Sequence, residues 1–321
     1  MASDELFLAY LAQFDDAGWL RVVDRLGHAI HPVDQSATRI WFHLYPLRLQ
    51  RAVDAADDPA AQARRLALLG RWRLADQIHT SHRFFYGHRY WPEARDAVVR
   101  FATGPDVPGS LDLAAQVQAL AAGVASRLDV EAALTVGITA VALRTLQQVG
   151  IEAFAAAPRE VNLPARALAR TPDQVAAARA RNNRQGLFGF LRAAPSWTIT
   201  FDEHDPEARF SLIDSQHITT AAGLDTRDHR VRDERCSEGP IPVHCRAASC
   251  GTCWVGVLGG ADRLSPMDDR ERQTLAECGY VSADEEGPVI RLACMAQAYG
   301  AVTLVIPPWN GRLKKLAGRV E

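Results

Sequence analysis

The chain lacks the features that mark a membrane or secreted protein. Its 321 residues contain no apolar run of the length needed to cross a bilayer, about 18 residues, and the longest candidate, 132–143, is bounded by Glu131 and Arg144. Asp4 and Glu5 stand near the N-terminus, where a secretory signal carries basic residues. We therefore expect no transmembrane segment and a cytoplasmic location.

The signatures of nucleotide-dependent and hydrolytic enzymes are also absent. The sequence has no glycine-rich phosphate loop, no dinucleotide fingerprint, no Ser-His-Asp or Cys-His nucleophile pattern and no repeat of fixed period. Lysine is nearly missing too, since Lys314 and Lys315 are the only two, and almost all positive charge is arginine. The missing cofactor fingerprints disfavour a self-contained reductase.

Cysteine is sparse but concentrated near the C-terminus. Three of the six cysteines, Cys245, Cys250 and Cys253, follow the pattern C-x4-C-x2-C, and Cys294 stands alone 41 positions after Cys253. This is the plant-type spacing for a [2Fe–2S] cluster, in which four thiolates hold two irons. The first three can converge because the loop between them contains small residues: Ala247, Ala248, Ser249, Gly251 and Thr252. We expect these four cysteines to ligate iron in a one-electron centre.

A zinc site and buried free thiols are the alternatives to a cluster. Zinc sites usually combine two tight Cys or His pairs, which the isolated Cys294 does not provide. Cys236 is expected to be a loop thiol and Cys278 a small buried hydrophobe, with redox chemistry or replacement ligation as the alternative. A Rieske centre would need two histidines, so His244 is expected to be a surface neighbour of the cluster. With four of six cysteines as ligands, the composition fits a reducing compartment.

Residues 197–306, about a third of the chain, resemble a plant-type or adrenodoxin-like [2Fe–2S] ferredoxin domain of the β-grasp fold. The cysteine spacing carries the resemblance, and the order of predicted elements supports it. These elements are a hairpin of 197–201 and 208–213, a short helix capped by Asp214 or Ser215 and stopped by Gly223, a strand at 253–258, a helix from Ser265 that ends before Gly279, and a strand at 302–306.

Three features depart from the family pattern. Ala248 stands where the family commonly has glycine, residues 224–239 are an apparent insertion, and the gap before Cys294 is nearer the adrenodoxin length than the plant one. These departures bear on the reduction potential and the docking face rather than on the cluster itself.

Charge is distributed unevenly along the chain. Residues 197–306 carry 18 acidic and 10 basic side chains, a net charge of −8, whereas the whole chain has a net charge of −2. Such an acidic domain favours electrostatic steering to a basic redox protein partner and disfavours nucleic acid as its ligand. The resemblance implies that the acids of the helix from Ser265 contact that partner: Asp268, Asp269 and Glu271.

The rest of the chain matches no family that we can name. Apolar residues recur at intervals of three and four over 113–128 and 130–146, which predicts two α-helices. We expect an α+β protein of two domains. Its predicted parts are an α-helical domain at 1–157, a linker rich in arginine and proline at 158–195 that is helical around 174–181, a ferredoxin-type domain at 196–308 and a basic tail at 309–321.

Histidine and aromatic residues cluster in the N-terminal part, between Arg71 and Pro92. If this segment were helical, Asp76, His79 and His82 would share one face. His79, His82 and His88 could then bind haem or a metal in a second redox site. The alternative is that this segment serves packing, subunit contact or a small-molecule site.

These observations predict a one-electron carrier that takes electrons from a reductase and passes them to an acceptor protein. Its helical domain would dock a partner or pair two copies of the chain. The alternative is a two-centre redox enzyme, in which the ferredoxin domain feeds a cofactor held by the histidines.

Overall fold

The structure is a computed structural model that describes residues 3–43, 55–65, 74–104, 112–182, 195–233, 235–277 and 289–307. Contacts divide the chain into two compact units, Met1–Phe42 with Arg73–Ala176 and His43–Trp72 with Ala177–Glu321. The change from one unit to the other at residue 176 falls inside the segment predicted as a linker. None of the helices in the described ranges is long and apolar enough to span a membrane.

Helices occur mostly in the N-terminal part. The α-helices of the described residues are α1 Ser3–Leu11, α2 Asp16–Leu26, α3 Pro32–Phe42, α4 Pro59–Arg65, α5 Trp91–Thr103, α6 Leu113–Leu128, α7 Ala133–Val149, α8 Ile151–Ala156, α9 Ala165–Leu168, α10 Pro172–Ala180, α11 Ile218–Ala222 and α12 Asp269–Glu277. Short 3-10 helices occur at Leu74–Asp76, Tyr86–Tyr90 and Ala261–Arg263.

Helix α7 is the centre of the helical unit. It is buried continuously from Leu134 to Leu146 and packs against α3, α5 and α6. The apolar periodicity predicted both α6 and α7, and both are confirmed. Asp129 ends α6 in the left-handed conformation at φ 53°. The small side chains on both helices allow their backbones to approach closely, as a fully buried helix requires.

A buried carboxylate fixes the C-terminal part of the histidine cluster. Asp34 of α3 is 1% exposed and accepts hydrogen bonds from the backbone N–H groups of Tyr86 and Gly87, both at 2.7 Å. A side chain at Gly87 would lie only 2.9 Å from the Asp34 Oδ2 atom. The 3-10 helix Tyr86–Tyr90 is therefore held to α3 by charge-assisted hydrogen bonds.

The first half of the predicted linker packs within the helical unit. Val175 of α10 belongs to a buried cluster with Val33, Tyr86 and Leu134. Arg89 donates hydrogen bonds to the carbonyl oxygens of the segment at the end of α9: those of Ala167, Leu168 and Arg170. The predicted helix around 174–181 is confirmed, because α10 covers Pro172–Ala180.

The second unit contains a five-stranded mixed sheet. Its strands are β1 Ser196–Thr200, β2 Arg209–Ile213, β3 Trp254–Gly259, β4 Ile290–Leu292 and β5 Val302–Val305. The order across the sheet is β2-β1-β5-β3-β4. β1 and β5 are parallel, and the other neighbours are antiparallel. The predicted α+β class is confirmed, as are the hairpin, the strand after the cysteine loop and the last strand.

Two predicted helix starts are wrong in detail. Helix α11 begins after His217, so the predicted caps Asp214 and Ser215 lie before its N-cap position and neither caps it. Asp214 instead accepts a hydrogen bond from the Trp197 Nε1 atom. The helix expected from Ser265 begins at Asp269, since the Asp268 Oδ1 atom accepts from the Glu271 N–H at 2.7 Å and caps it there. Its expected end before Gly279 lies outside the described residues, as do Cys278 and the tail 309–321.

Candidate functional site

The pairing of β3 with β4 brings two of the four predicted ligands together. Cys253 immediately precedes β3, and Cys294 lies two residues after β4. The register places Trp254 opposite Leu292, and the Ala293 N–H donates to the Cys253 carbonyl at 3.0 Å. The Cys294 N–H then lies 3.4 Å from the Cys253 Sγ atom. Strand pairing therefore brings together two cysteines that lie 41 residues apart in the sequence.

The four thiols form two neighbouring pairs. Neighbouring thiols alter each other's pKa within each pair, Cys245 with Cys250 and Cys253 with Cys294. The pairs also interact electrostatically, Cys250 with Cys253 and Cys245 with Cys294. All four cysteines are free of disulfide bonds. The structure thus brings together all four cysteines that the sequence identified.

Backbone N–H groups in the cysteine loop point at sulfur. The N–H groups of Ala247 and Ser249 lie 3.4 and 3.3 Å from the Cys245 Sγ atom. Left-handed residues turn the loop, with φ 55° at Arg246 and 52° at Ala248. Alternation of backbone conformation in this way makes concave N–H sites for anions, including those of iron–sulfur centres. The loop is therefore shaped to hold a negatively charged group at Cys245.

Each thiol pair contains one member that loses its proton more readily than the other. Burial raises the pKa of Cys245, but hydrogen bonds from Ser249, Ala247 and Cys250 outweigh burial and lower this pKa to about 7. The hydrogen bond between Cys253 and Cys294 lowers the pKa of Cys294 and raises that of Cys253 well above its usual value. Burial raises the pKa of Cys250. Because the thiolate is the form that binds metal, both pairs are poised to ligate.

Helix α12 is hydrogen-bonded both to the cysteine loop and to strand β4. The Thr274 hydroxyl donates a hydrogen bond to the carbonyl of Ala248 in the loop. The Glu271 carboxylate accepts from the Leu292 N–H at 2.7 Å and from the Arg291 Nε and Nη2 atoms, both at 2.9 Å. Glu271 and Arg291 are 0% and 2% exposed. One helix thus fixes the loop that carries three cysteines and the strand that leads to the fourth.

This arrangement corrects part of the docking prediction. Glu271 was expected on a partner-binding surface, but it is buried in the ion pair with Arg291. Asp268 and Asp269 are exposed and stay available for a partner. The roles of Glu271, Arg291 and Thr274 could not be predicted, because these residues meet only when the loop, helix and strand are folded.

Neither Cys236 nor His244 belongs to the two thiol pairs. Burial raises the pKa of Cys236 to about 12, and its Sγ atom lies 3.2 Å from the Pro240 carbonyl oxygen. It is therefore a protonated, inert thiol at neutral pH. His244 is exposed beside Cys245, as expected.

No group of three or more His, Cys, Asp or Glu side chains among the described residues is arranged to hold a single metal ion. A two-iron cluster does not require such a group, because each iron takes only two protein thiolates and bridging sulfides complete its coordination. A [2Fe–2S] cluster therefore requires two thiol pairs. The four cysteines fit this requirement in number, chemistry and proximity.

The histidine cluster differs from its predicted geometry. Residues 78–84 form consecutive turns, so the helical face of Asp76, His79 and His82 is wrong. His82 and His88 are brought together and share a hydrogen bond between their Nδ1 atoms at 2.9 Å. They are 0% and 1% exposed, and the His82 ring lies 4.1 Å from that of Trp91, while His79 is half-buried. The contacts of His82 and His88 are those of packed core residues.

Comparison with protein-family models, with curated proteins and with solved structures found no match for this chain.

Proposed function

We propose that the C-terminal part of the chain is a β-grasp [2Fe–2S] domain and that the protein is a one-electron carrier. The observation that carries this proposal is the convergence of Cys245 and Cys250 with Cys253 and Cys294 in two adjacent thiol pairs. When bound, a [2Fe–2S] cluster accepts and returns a single electron. The protein supplies its ligands, its hydrogen bonds and its docking surface.

The sheet topology supports the β-grasp assignment. A hairpin of β1 and β2 is followed by α11, and the cysteine loop then leads into β3. After α12 and β4, the last strand returns parallel to β1 at the centre of the sheet. These elements occur in the order implied by the resemblance to ferredoxins.

The cysteine loop also supports the cluster through its polar groups. Four thiolates would bring concentrated negative charge into a largely buried site, which requires compensating donors. The N–H groups of Ala247, Ser249 and Cys294 lie 3.3–3.4 Å from ligand sulfurs. Such hydrogen bonds to sulfur help to set the potential of an iron–sulfur centre.

Exposure identifies the edge at which electrons would cross to a partner. Cys250, Cys253 and Cys294 are 3–5% exposed, whereas Cys245 is half-buried. His244, Arg246 and Ser249 around it are exposed. We infer that a redox partner docks over this edge and is steered there by the acidic charge of residues 197–306. The helical unit would bring a partner close or pair two copies of the chain.

The alternative of a second redox centre at His79, His82 and His88 stays a hypothesis. The hydrogen bond between the Nδ1 atoms of His82 and His88 engages these two nitrogens with each other rather than with a metal or haem iron. Packing of His82 on Trp91 favours a structural role, so the electron-carrier proposal does not include this centre.

Replacement of single cysteines tests the ligand assignment. We expect Cys294→Ala to lose most of the bound iron, since it removes half of one thiol pair. The matched control is Cys236→Ala, which removes another buried thiol and should retain iron at the wild-type level. The measurement is iron and acid-labile sulfide per chain after anaerobic purification. Loss of iron from Cys236→Ala with retention in Cys294→Ala would contradict the assignment.

A further inference from the structure

The peptide that joins Ala248 to Ser249 in the cysteine loop is hydrogen-bonded on both of its sides. Its carbonyl oxygen, which belongs to Ala248, accepts from the Thr274 hydroxyl of α12. Its N–H group, which belongs to Ser249, lies 3.3 Å from the Cys245 Sγ atom. Because a trans peptide is planar and its C=O and N–H point in opposite directions, both bonds are made by one rigid unit. A group that fixes the carbonyl therefore also aims the N–H at sulfur.

Within the described part of the chain, main-chain hydrogen bonds do not hold this peptide, since no backbone–backbone bond there involves Ala247, Ala248 or Ser249. Ala248 adopts φ 52°, a conformation that residues with a Cβ atom avoid. Ser249 is exposed, so core packing does not fix its side of the peptide. A backbone conformation of this kind persists only where surrounding groups determine it. The Thr274 hydroxyl is placed to do so.

Thr274 itself is held firmly in place. It is 5% exposed, and Ala248, whose carbonyl it contacts, is 2% exposed. One turn earlier on α12, the buried Glu271 carboxylate accepts from the Arg291 side chain and from the Leu292 N–H. The hydroxyl is therefore presented to the loop by a helix that is fixed to β4. Without this hydroxyl the buried Ala248 carbonyl oxygen would lose its partner, which is unfavourable.

The orientation of this peptide bears on the electron affinity of the site. Reduction adds one negative charge to a cluster, so an N–H group beside a ligand sulfur stabilises the reduced form more than the oxidised form. Loss of that donor lowers the reduction potential. If the peptide turned over, it would bring the negative end of a carbonyl dipole toward the Cys245 sulfur in place of the N–H. The ligand affected is Cys245, the half-buried cysteine at the edge where we place electron transfer.

We propose that Thr274 is a positioning residue of the [2Fe–2S] site. Its hydroxyl holds the peptide between Ala248 and Ser249 so that the Ser249 N–H stays on the Cys245 sulfur, and this raises the reduction potential and helps to retain the cluster. Thr274 acts through the peptide rather than as a ligand. This inference rests on the proposed one-electron function and adds to it a residue outside the cysteine loop that controls the potential.

The test is the midpoint potential of the cluster in the full chain, measured by redox titration followed by EPR. Thr274→Val keeps the shape of the side chain and removes the hydroxyl, so its midpoint potential should lie below that of the wild type. It should also lose iron to a chelator about fivefold faster, as expected for the loss of one buried hydrogen bond. Thr274→Ser keeps the hydroxyl and should restore both values. If Thr274→Val does not fold, Thr274→Ala removes the same hydroxyl without crowding the carbonyl and should give the same shift.

Leu275→Ala on the same helix is the control for a general loss of stability. Leu275 is 3% exposed, so its truncation should lower the midpoint of thermal unfolding but leave the midpoint potential at the wild-type value, because the Thr274 hydroxyl is still present. The inference is overturned if the folded variants without the hydroxyl have the wild-type potential, if Leu275→Ala lowers it equally, or if Thr274→Ser does not restore it.

Iron and acid-labile sulfide analysis of the wild type separates these outcomes from failure of the proposed function. A wild type that holds no cluster after reconstitution overturns the proposed function and this inference with it. A wild type that holds the cluster, with the same potential in Thr274→Val, overturns this inference alone.

Discussion

At the scale of single residues, the cysteine loop accepts backbone conformations that non-glycine residues avoid. Arg246 and Ala248 both adopt positive φ, which costs roughly 1 kcal/mol or more for each residue with a Cβ atom. In return, the N–H groups of the intervening Ala247 and of Ser249 face the Cys245 sulfur. The departure at Ala248 is therefore compatible with the loop, since alanine adopts the left-handed angle that glycine favours.

The buried His82 gives the helical unit a dependence on pH. Burial lowers the pKa of His82 well below its usual value of 6.5, so the folded state binds no proton at pH values where the unfolded chain does. Stability should therefore fall as the pH drops below 6.5, by up to about 1.4 kcal/mol per pH unit for one proton. The measurement is the midpoint of thermal unfolding by circular dichroism at several pH values.

Substitution separates His82 from the other titrating groups. His82→Gln should flatten this pH dependence, although it also lowers stability at neutral pH because it disrupts the bond to His88. The matched control is His28→Gln, an exposed histidine of the same unit, which should keep the wild-type slope. An unchanged slope in His82→Gln would show that other groups are responsible.

At the scale of elements, α12 is the part of the fold that stabilises the cysteine site from outside. Glu271→Gln leaves the Arg291 guanidinium buried without its counter-charge, and breaking a buried pair in this way costs about 3–5 kcal/mol. We expect the free energy of unfolding of the second unit to fall by this amount. The measurement is guanidinium denaturation of the full chain followed by circular dichroism.

Two further variants check that the loss comes from the buried charge. Asp269 on the same helix is fully exposed and lies 3.8 Å from Arg272, so Asp269→Asn should leave the stability close to that of the wild type. Replacing Glu271 and Arg291 together by leucine and methionine should recover most of the stability lost in Glu271→Gln. Equal losses in Asp269→Asn and Glu271→Gln would contradict the role assigned to the buried pair.

Elements with a strong local pattern were predictable from the sequence. Helices α6 and α7 follow from apolar periodicity, and β1 and β2 from alternation, because each pattern reports burial of one face. The shared helical face expected for Asp76, His79 and His82 was wrong, because a spacing of three residues fits successive turns as well as a helix. The contacts of Glu271 and Thr274 could not be predicted, since each depends on chain segments that meet only in the folded sheet.

At the scale of the whole molecule, charge separates the two parts of the chain. The net charge of −8 on residues 197–306 should steer a basic electron acceptor to the domain. We expect the rate of electron transfer from the reduced protein to a basic c-type cytochrome to fall as salt rises, because the screening length is about 8 Å at physiological ionic strength. Stopped-flow absorbance measures this rate.

A small anionic oxidant provides the control for this effect. Ferricyanide should react faster, not slower, with rising salt, because screening then reduces repulsion. Neutralising Asp268 and Asp269 should weaken the salt dependence with the cytochrome. A rate with the cytochrome that stays flat from low to high salt would reject electrostatic steering while leaving the cluster assignment intact.

The central claim is that Cys245, Cys250, Cys253 and Cys294 hold one [2Fe–2S] cluster. The most direct measurement is iron, zinc and acid-labile sulfide on the anaerobically purified full chain, together with the EPR spectrum after reduction. The account predicts about two irons and two sulfides per chain and an axial or rhombic signal from a single unpaired electron. Zinc in place of iron, or a folded protein that contains neither iron nor sulfide after reconstitution with both, would contradict it.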